Sequence, residues 1–471
     1  MPFSHSRPDS VQFDQVFAPF LNEPGLPFAE VLPASEVQEA FAEAGVDFGA
    51  TKGSVFTPAL TLWAWLSQVV DPAKSCMAAV LRVSTLLVAL GRGSCSEDTA
   101  AYCRARAKVP ALVIRKLALQ VGRRLEEATP KDWLWHGRHV MLVDGTTMTM
   151  ADTEENQKAF PQPTSQKAGL GFPMIRMVLL LSLATAAVTG MAYGPYGGKE
   201  TGETALLRQL LDGVAAGTIL LADRYYCSYW MVAMARQRGL DVVFRLHQLR
   251  HYDFRIGWRR GPNDHTVLWA RPQRPEWMDE STYATIPDEL MVREIRYQVS
   301  TPGFRVRQLI VATTLWDAEA YPSEVLADLY HERWQVELDI RTIKKSLQMD
   351  ELRCKTPFMV EKEIWVHLLG YNLVRKVAAQ AAHERGVPAR AVSFTAARDA
   401  VNAGRMLWTL AESSERVRQG NTLLPTIGKA RVGNRPDRCE PRAKKRRTKR
   451  YPHLNQPRKQ ARKELLARAA A

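Results

Sequence analysis

Paired cysteines are missing from this sequence. Its six cysteines, Cys76, Cys95, Cys103, Cys227, Cys354 and Cys439, form no CxxC pair and stand far apart. That excludes a zinc ribbon and a disulfide scaffold, and it points to a reducing cytoplasm. An apolar leader is missing too, because MPFSHSRPDSVQFDQVF holds no continuous apolar core of signal-peptide length. Between Arg176 and Lys199 there is no charge at all, and MVLLLSLATAAVTGMAYG is long enough to cross a bilayer. Thr185, Thr189, Gly190, Gly194 and Pro195 break that run in two, however. Two buried strands joined by a tight turn account for the same residues where a sheet is covered on both faces. No membrane partner and no small-molecule cofactor are expected.

Acids are scarce near the C-terminus. From Lys429 onward 16 Lys and Arg face Asp437, Glu440 and Glu464, a net of +13, which leaves +2 of the chain's +15 for residues 1–428. EPRAKKRRTKRYPHLNQPRKQARK, interrupted by prolines, cannot bury enough apolar surface to fold alone. Basic tails also occur on ribosomal and membrane-surface proteins, but this charge density suits a nucleic acid best, with Lys444, Lys445, Arg446 and Arg447 at its centre.

What is present is enough for several cores: 471 residues with 46% hydrophobic content imply two or three domains. Residues 1–60 carry little pattern, and from TPALTLWAWLSQVV to PALVIRKLALQVGRRLEEA the apolar spacing is helical. We divide the chain into an N-terminal helical region (1–130), a first α/β part (131–248), a β-rich insertion (249–308), a second α/β part (309–400) and a C-terminal region with a basic arm (401–471). In the first α/β part HVMLVDGTTMTM reads as a strand ending in a turn. FPMIRMVLLLSLATAAVTGMAYG supplies two more strands, ETALLRQLLDGV a helix, GTILLADRYY a strand, SYWMVAMARQRG a helix stopped by glycine, and LDVVFRLHQ a fifth strand. The expected class is a mixed α/β sheet flanked by helices.

Asp144 and Asp223 fall at the ends of apolar strands, where side chains reach the sheet's edge. The third candidate lies in YHERWQVELDIRTIKKSL. At about 100° per residue, Tyr330, Arg333, Glu337, Arg341 and Lys344 share one face, beside an apolar stripe of Val325, Leu329, Val336, Ile340, Ile343 and Leu347. Glu332 and Asp339 point elsewhere. Such residues more often form a solvated, salt-bridged face. One acid among three cations and a phenol, bordering the core, looks instead like a phosphate and metal site. Three carboxylates from two strands and a helix can hold two divalent ions that activate a water or a 3′-hydroxyl and stabilise the leaving oxygen of a phosphodiester.

These residues carry a resemblance. Tyr330, Arg333, Glu337 and Lys344 fit, without a gap, the signature of the bacterial DDE insertion-sequence transposases that carry a YREK motif. DGTTMTMADTEENQKAFPQP, LLADRYYCSYW, VVFRLHQ and HLLGYNLVRK are similar to that family's blocks, in order. The resemblance implies an RNase H-like core interrupted by a β insertion, with Asp144, Asp223 and Glu337 as catalytic ligands of Mg²⁺ or Mn²⁺, two ions per site. It implies that Tyr330, Arg333 and Lys344 meet double-stranded DNA, and Arg341, on the same helix face, is expected to join them. The partners would be the element's terminal inverted repeats and target DNA, bound by a homodimer in a synaptic complex in the cytoplasm, at the nucleoid when acting. End nicking, hairpin formation, hairpin opening and strand transfer would follow one another at one site.

In the insertion, Trp258 and Trp269, with Arg255, Arg259 and Arg260 near the first, could stack on a base flipped from the duplex end, although strand packing is the commoner role. Two other readings share these residues: a stand-alone nuclease of the same fold, and a catalytically silent DNA-binding protein derived from a transposase.

Overall fold

The structure, a computed structural model, describes residues 11–49, 54–298, 308–433 and 452–469. Its centre is a ten-stranded mixed sheet. The strands are β1 (Val140–Met150), β2 (Met174–Ser182), β3 (Val188–Pro195), β4 (Ile219–Ala222), β5 (Asp241–Arg245), β6 (Trp258–Gly261), β7 (Asp264–Ala270), β8 (Glu289–Gln298), β9 (Gln308–Thr313) and β10 (Glu351–Leu352). Nine of them lie in the order β3-β2-β1-β4-β5-β9-β8-β7-β6, and β10 pairs with β1. β3, β2 and β1 run antiparallel, whereas β4 and β5 run parallel to β1. This is the strand order and sense of an RNase H-like core, as the resemblance implies.

The uncharged run does form two strands, β2 and β3, and among the described residues no helix is long and apolar enough to cross a membrane. Alternation explains how an uninterrupted apolar run is buried within a sheet. Leu179 and Leu181 enter one buried cluster while Val178 and Leu180 enter another on the opposite face. The first cluster runs from Val11 to Ile427 and joins the N-terminal helices Pro58–Val70, Cys76–Ala89, Ala100–Lys108 and Ala111–Glu127 to the long buried helix Pro357–His383. That helix begins at a built start, with Pro357 in its first turn and the Thr356 side chain accepting from Met359 N. The second cluster holds the helix Tyr229–Gln237 and the apolar faces of β7 and β8.

Residues 11–49, which carried no readable pattern, contribute the helices Phe13–Phe17 and Ala34–Glu43, with Phe17, Phe20 and Leu21 fully buried in the first cluster. The β-rich insertion contains β6, β7 and β8, and it continues the sheet because β8 pairs with β9, which pairs with β5.

β1 departs from the sequence expectation in one useful way. It does not end at Asp144 but runs on to Met150, and its partner changes along the way. Residues Val140–Val143 pair with β4, and Thr149 and Met150 pair with β10. Asp144 therefore stands where β1 parts from β4, at a fork in the sheet.

Candidate active site

The fork brings the two aspartates level. Val143 pairs with Ala222 in parallel register, so the next residue of each chain, Asp144 and Asp223, leaves the pair side by side. Alternation sets their direction: Leu142 and Leu221 face the first cluster, Val143 and Ala222 the second, so Asp144 and Asp223 return to the first face. The same face is covered by the helical segment that bears Glu337, whose Leu329, Tyr330, Val336, Ile340, Ile343 and Leu347 all belong to that cluster.

That segment is not the uniform helix its spacing suggests. An α-helix over Ser323–His331 tightens to a 3₁₀ turn at Glu332–Trp334, resumes as α over Gln335–Arg341, and widens to a π-helix at Thr342–Ser346. A 3₁₀ turn advances about 120° per residue and a π turn less than an α turn, so a phase drawn at constant pitch drifts on both sides of Glu337. The five residues expected on one face differ in exposure. Tyr330 is buried, Arg333 and Lys344 are half-buried, and Glu337 and Arg341 are exposed. Lys344 turns to β1, its Nζ donating to Thr147 O at 2.7 Å and Thr146 Oγ1 at 3.3 Å, inside the gap between β4 and β10.

The Arg333 guanidinium donates to Glu337 Oε1 at 2.9 Å. It also acts electrostatically on Asp144 and Tyr330, which places it among the acids. Burial pushes the Asp144 carboxyl up to about 6 from 3.8. A 2.8 Å bond from Gly145 N and the Arg333 charge pull it down, and Asp223 and Glu203 push it up. Burial likewise pushes the Tyr330 hydroxyl up, against the pull of Arg333 and Arg245.

Because the folded value lies above the ordinary one, the stability associated with Asp144 is full below about pH 4 and is lost as pH rises through 6. In chelating buffer near neutral pH, Asp144→Asn should stabilise the chain by about 2–3 kcal/mol, and the gain should vanish toward pH 4. Denaturant unfolding at both pH values checks this; a gain that persists in acid would point to packing rather than charge.

Two residues absent from the sequence reading belong to this neighbourhood. Arg245 ends β5, beside the Asp223 strand. Glu203 opens the helix Glu203–Arg208, and its carboxylate lies over Gly145: a Cβ added there would sit 2.1 Å from Glu203 Cδ. Tyr226, three residues past Asp223, donates its hydroxyl to Glu203 Oε2 at 3.1 Å. Gly145→Ala should therefore force Glu203 off Tyr226 and lower the activity of this site about tenfold, the usual scale for a displaced supporting group. Combining it with Glu203→Ala should recover part of the loss, and turnover rates of the two variants decide the point. The signal available in the sequence was weak, since an acid in the first turn of a helix is ordinary.

Of the two insertion tryptophans, Trp269 is 3% exposed. Its Nε1 donates to Glu294 Oε1 at 2.9 Å, and the Arg250 guanidinium lies 3.7 Å from its ring centroid. It is a packing residue and presents no face to a base. Trp258 is exposed on β6. Lys444, Lys445, Arg446 and Arg447 lie outside the described residues.

The family model of the transposase DDE domain matches residues 135–373. The chain is 27% identical over 373 residues to the transposase InsG for insertion sequence element IS4 of Escherichia coli (strain K12), covering 75% of this chain and 77% of that one. It is 27% identical over 147 residues to the putative transposase InsZ of the same organism, 27% of this chain and 48% of that one. Among solved structures, a piggyBac transposase synaptic complex with hairpin DNA aligns over 89% of this chain and 87% of that chain, with TM-score 0.42 and 12% identity.

Proposed function

Because this chain belongs to the transposase DDE domain family, we propose that Asp144, Asp223 and Glu337 are its catalytic carboxylates. The protein is a DNA transposase of the insertion-sequence kind, an enzyme that cleaves and transfers DNA strands with divalent metal ions. One observation carries the assignment of residues: the parallel β1–β4 register sets Asp144 and Asp223 side by side on the face covered by the helical segment of Glu337.

The donor chemistry fits hard divalent cations, since all three groups are carboxylates and Asp144 is crowded by Asp223 and Glu203. Among the described residues no three acidic, His or Cys side chains stand close enough to hold a metal ion as they are. Glu337 must therefore leave Arg333 to join the aspartates. When bound, two Mg²⁺ or Mn²⁺ ions would lower the cost of deprotonating a water or 3′-hydroxyl and neutralise the leaving oxygen.

The chain's own groups do the rest. Asp144 and Asp223, fixed on adjacent strands, set where the scissile phosphate sits. Arg333, released from Glu337, is free to take a phosphate oxygen in two-pronged fashion. Tyr330 is held by burial beside Asp223 and Arg333. Lys344 exchanges its bonds to Thr146 and Thr147 for a phosphate. The N-terminal helices of residues 1–130 and the arm around Lys444–Arg447 add contacts to the element's end, and Trp258 offers a ring to an unpaired base. Two copies acting on paired ends, with hairpin formation and opening between nicking and strand transfer, complete the scheme.

The test is cleavage and joining of a duplex carrying the gene's flanking inverted repeats, with Mg²⁺ or Mn²⁺. Joined products are expected from the parent and none from Asp144→Ala or Asp223→Ala. A parent that binds the ends and never cuts would overturn the catalytic assignment. Lys344→Ala should weaken end binding and lower the slope of log affinity against log salt by about 0.9, the share of one phosphate contact on duplex DNA. Binding titrations between low and physiological salt measure it, and an unchanged slope would leave Lys344 a structural tie to β1.

A further inference from the structure

A cavity of about 460 Å³ lies away from the carboxylates, between the N-terminal helices, the start of the helix Pro357–His383 and the loop that follows β10. Three thiols, Cys76, Cys103 and Cys354, line it together with Arg106 and His367. The Cys76 and Cys103 sulfurs are in contact at 3.9 Å. The Arg106 guanidinium reaches both, donating to Cys76 Sγ at 3.5 Å and to Cys103 Sγ at 3.6 Å. Arg106 is itself clamped, with its guanidinium carbon 5.3 Å from the Trp65 ring centroid and 5.0 Å from that of Tyr102. Two buried nitrogens on the cavity wall, Arg106 Nε and His367 Nε2, have no hydrogen-bond partner.

We propose that Cys76 and Cys103 form an oxidisable dithiol, a modification site that a small peroxide reaches through this cavity and converts to a disulfide. Both thiols are only partly buried. Cys76 is the first residue of the helix Cys76–Ala89; burial pushes its thiol up, and the Arg106 charge pulls against that toward the thiolate, the form that reacts. Closing the bond requires the sulfurs to approach from 3.9 Å to about 2 Å, a shift that the first turn of one helix can make. Cys227, by contrast, is buried, and no thiol of the described residues lies across a comparable contact from Cys95, whose sulfur faces Val80 O at 4.0 Å.

The chemistry balances with hydrogen peroxide as oxidant. One thiolate attacks a peroxide oxygen, the S–O bond forms, the O–O bond breaks, and hydroxide leaves to be protonated to water. The second thiolate then attacks that sulfur, the S–S bond forms, the S–O bond breaks, and a second water leaves. Two thiols lose two electrons and two protons, and one peroxide becomes two waters. The bridge ties the helix Cys76–Ala89 to the helix Ala100–Lys108. It also removes the sulfurs as partners of Arg106 on a wall shared with Lys74, whose Nζ clasps Val69 O and Leu347 O.

The experiment treats the full chain with hydrogen peroxide, blocks remaining thiols with N-ethylmaleimide, and maps peptides without reduction. The expected product is a peptide pair joined through Cys76 and Cys103, lighter than its parts by two hydrogen atoms and separated by dithiothreitol. Cys76→Ser and Cys103→Ser should each abolish it, whereas Cys95→Ser should not. Alkylated Cys76 and Cys103 in protein whose other thiols are oxidised would overturn the proposal. So would a bridge from either of them to Cys354.

Discussion

Glu337→Gln is expected to slow DNA cleavage about a thousandfold while end binding stays within about twofold of the parent. The substitution keeps the shape of the side chain and removes its charge, so it takes away a ligand without opening a cavity. Loss of one metal-linked carboxylate forfeits several kcal/mol of transition-state stabilisation, and each ~1.4 kcal/mol is a factor of ten. Folding cannot account for such a loss. The Glu337 side chain is 60% exposed and its bond to Arg333 spans i to i+4, a surface pair worth roughly 0.3–0.5 kcal/mol. Single-turnover cleavage of a labelled end duplex, beside a gel-shift titration of the same duplex, separates the two effects. Equal losses in both would make Glu337 a DNA contact rather than a metal ligand.

Two residues further on, Asp339→Ala should do the opposite: destabilise the whole chain by about 3–5 kcal/mol before any effect on chemistry can be read. Asp339 is 2% exposed. Its Oδ1 accepts from Arg375 at 3.0 Å and its Oδ2 from Arg390 at 2.8 Å. Arg375 lies in the long helix Pro357–His383, while Arg390 also donates to Ser182 O at the end of β2 at 2.7 Å. One carboxylate thus pins the Glu337 segment to both the helix behind it and the sheet beside it. Its removal leaves two guanidinium groups short of a counter-charge in a dry interior, which is the costly case. Denaturant midpoints of Asp339→Ala and Glu337→Gln, measured side by side, decide whether the two acids differ as described. Equal midpoints would show that the buried network contributes no more than the surface pair.

The contrast between these two acids also shows what a sequence can and cannot tell. The direction of Asp339 away from the functional face followed from helical spacing, and so did the apolar stripe that packs on the sheet. The unequal burial of Tyr330, Glu337 and Lys344 was not legible, because the reading assumed a constant pitch through a segment that changes from α to 3₁₀ to π. Local pitch is decided by what the segment packs against, and a single sequence carries no record of that.

The strands were legible for a complementary reason. A run apolar on every residue needs both faces covered, and β2 and β3 have them. Asp144 and Asp223 were legible as acids after apolar runs; their adjacency was not, since it depends on the register of β1 with β4, 79 residues apart at Val140 and Ile219. Glu203 was hidden because its partners are a glycine Cα and a phenol from elsewhere in the chain. Trp258 and Trp269 looked alike in sequence, yet only the second finds a buried acceptor in Glu294.

The continuity of the sheet through the insertion has a consequence for how such chains can change. β9 lies between β5 and β8, so its outer edge is occupied only because β8 is there. A chain that lost residues 249–298 would keep its carboxylates and expose a row of unpaired backbone groups along β9, an invitation to pair with other copies and aggregate. The insertion is therefore not an accessory that can be trimmed or exchanged at its sequence boundaries. It doubles as the seal on a raw margin, and any shorter descendant would need another strand, a bulge or a lysine-rich edge in its place.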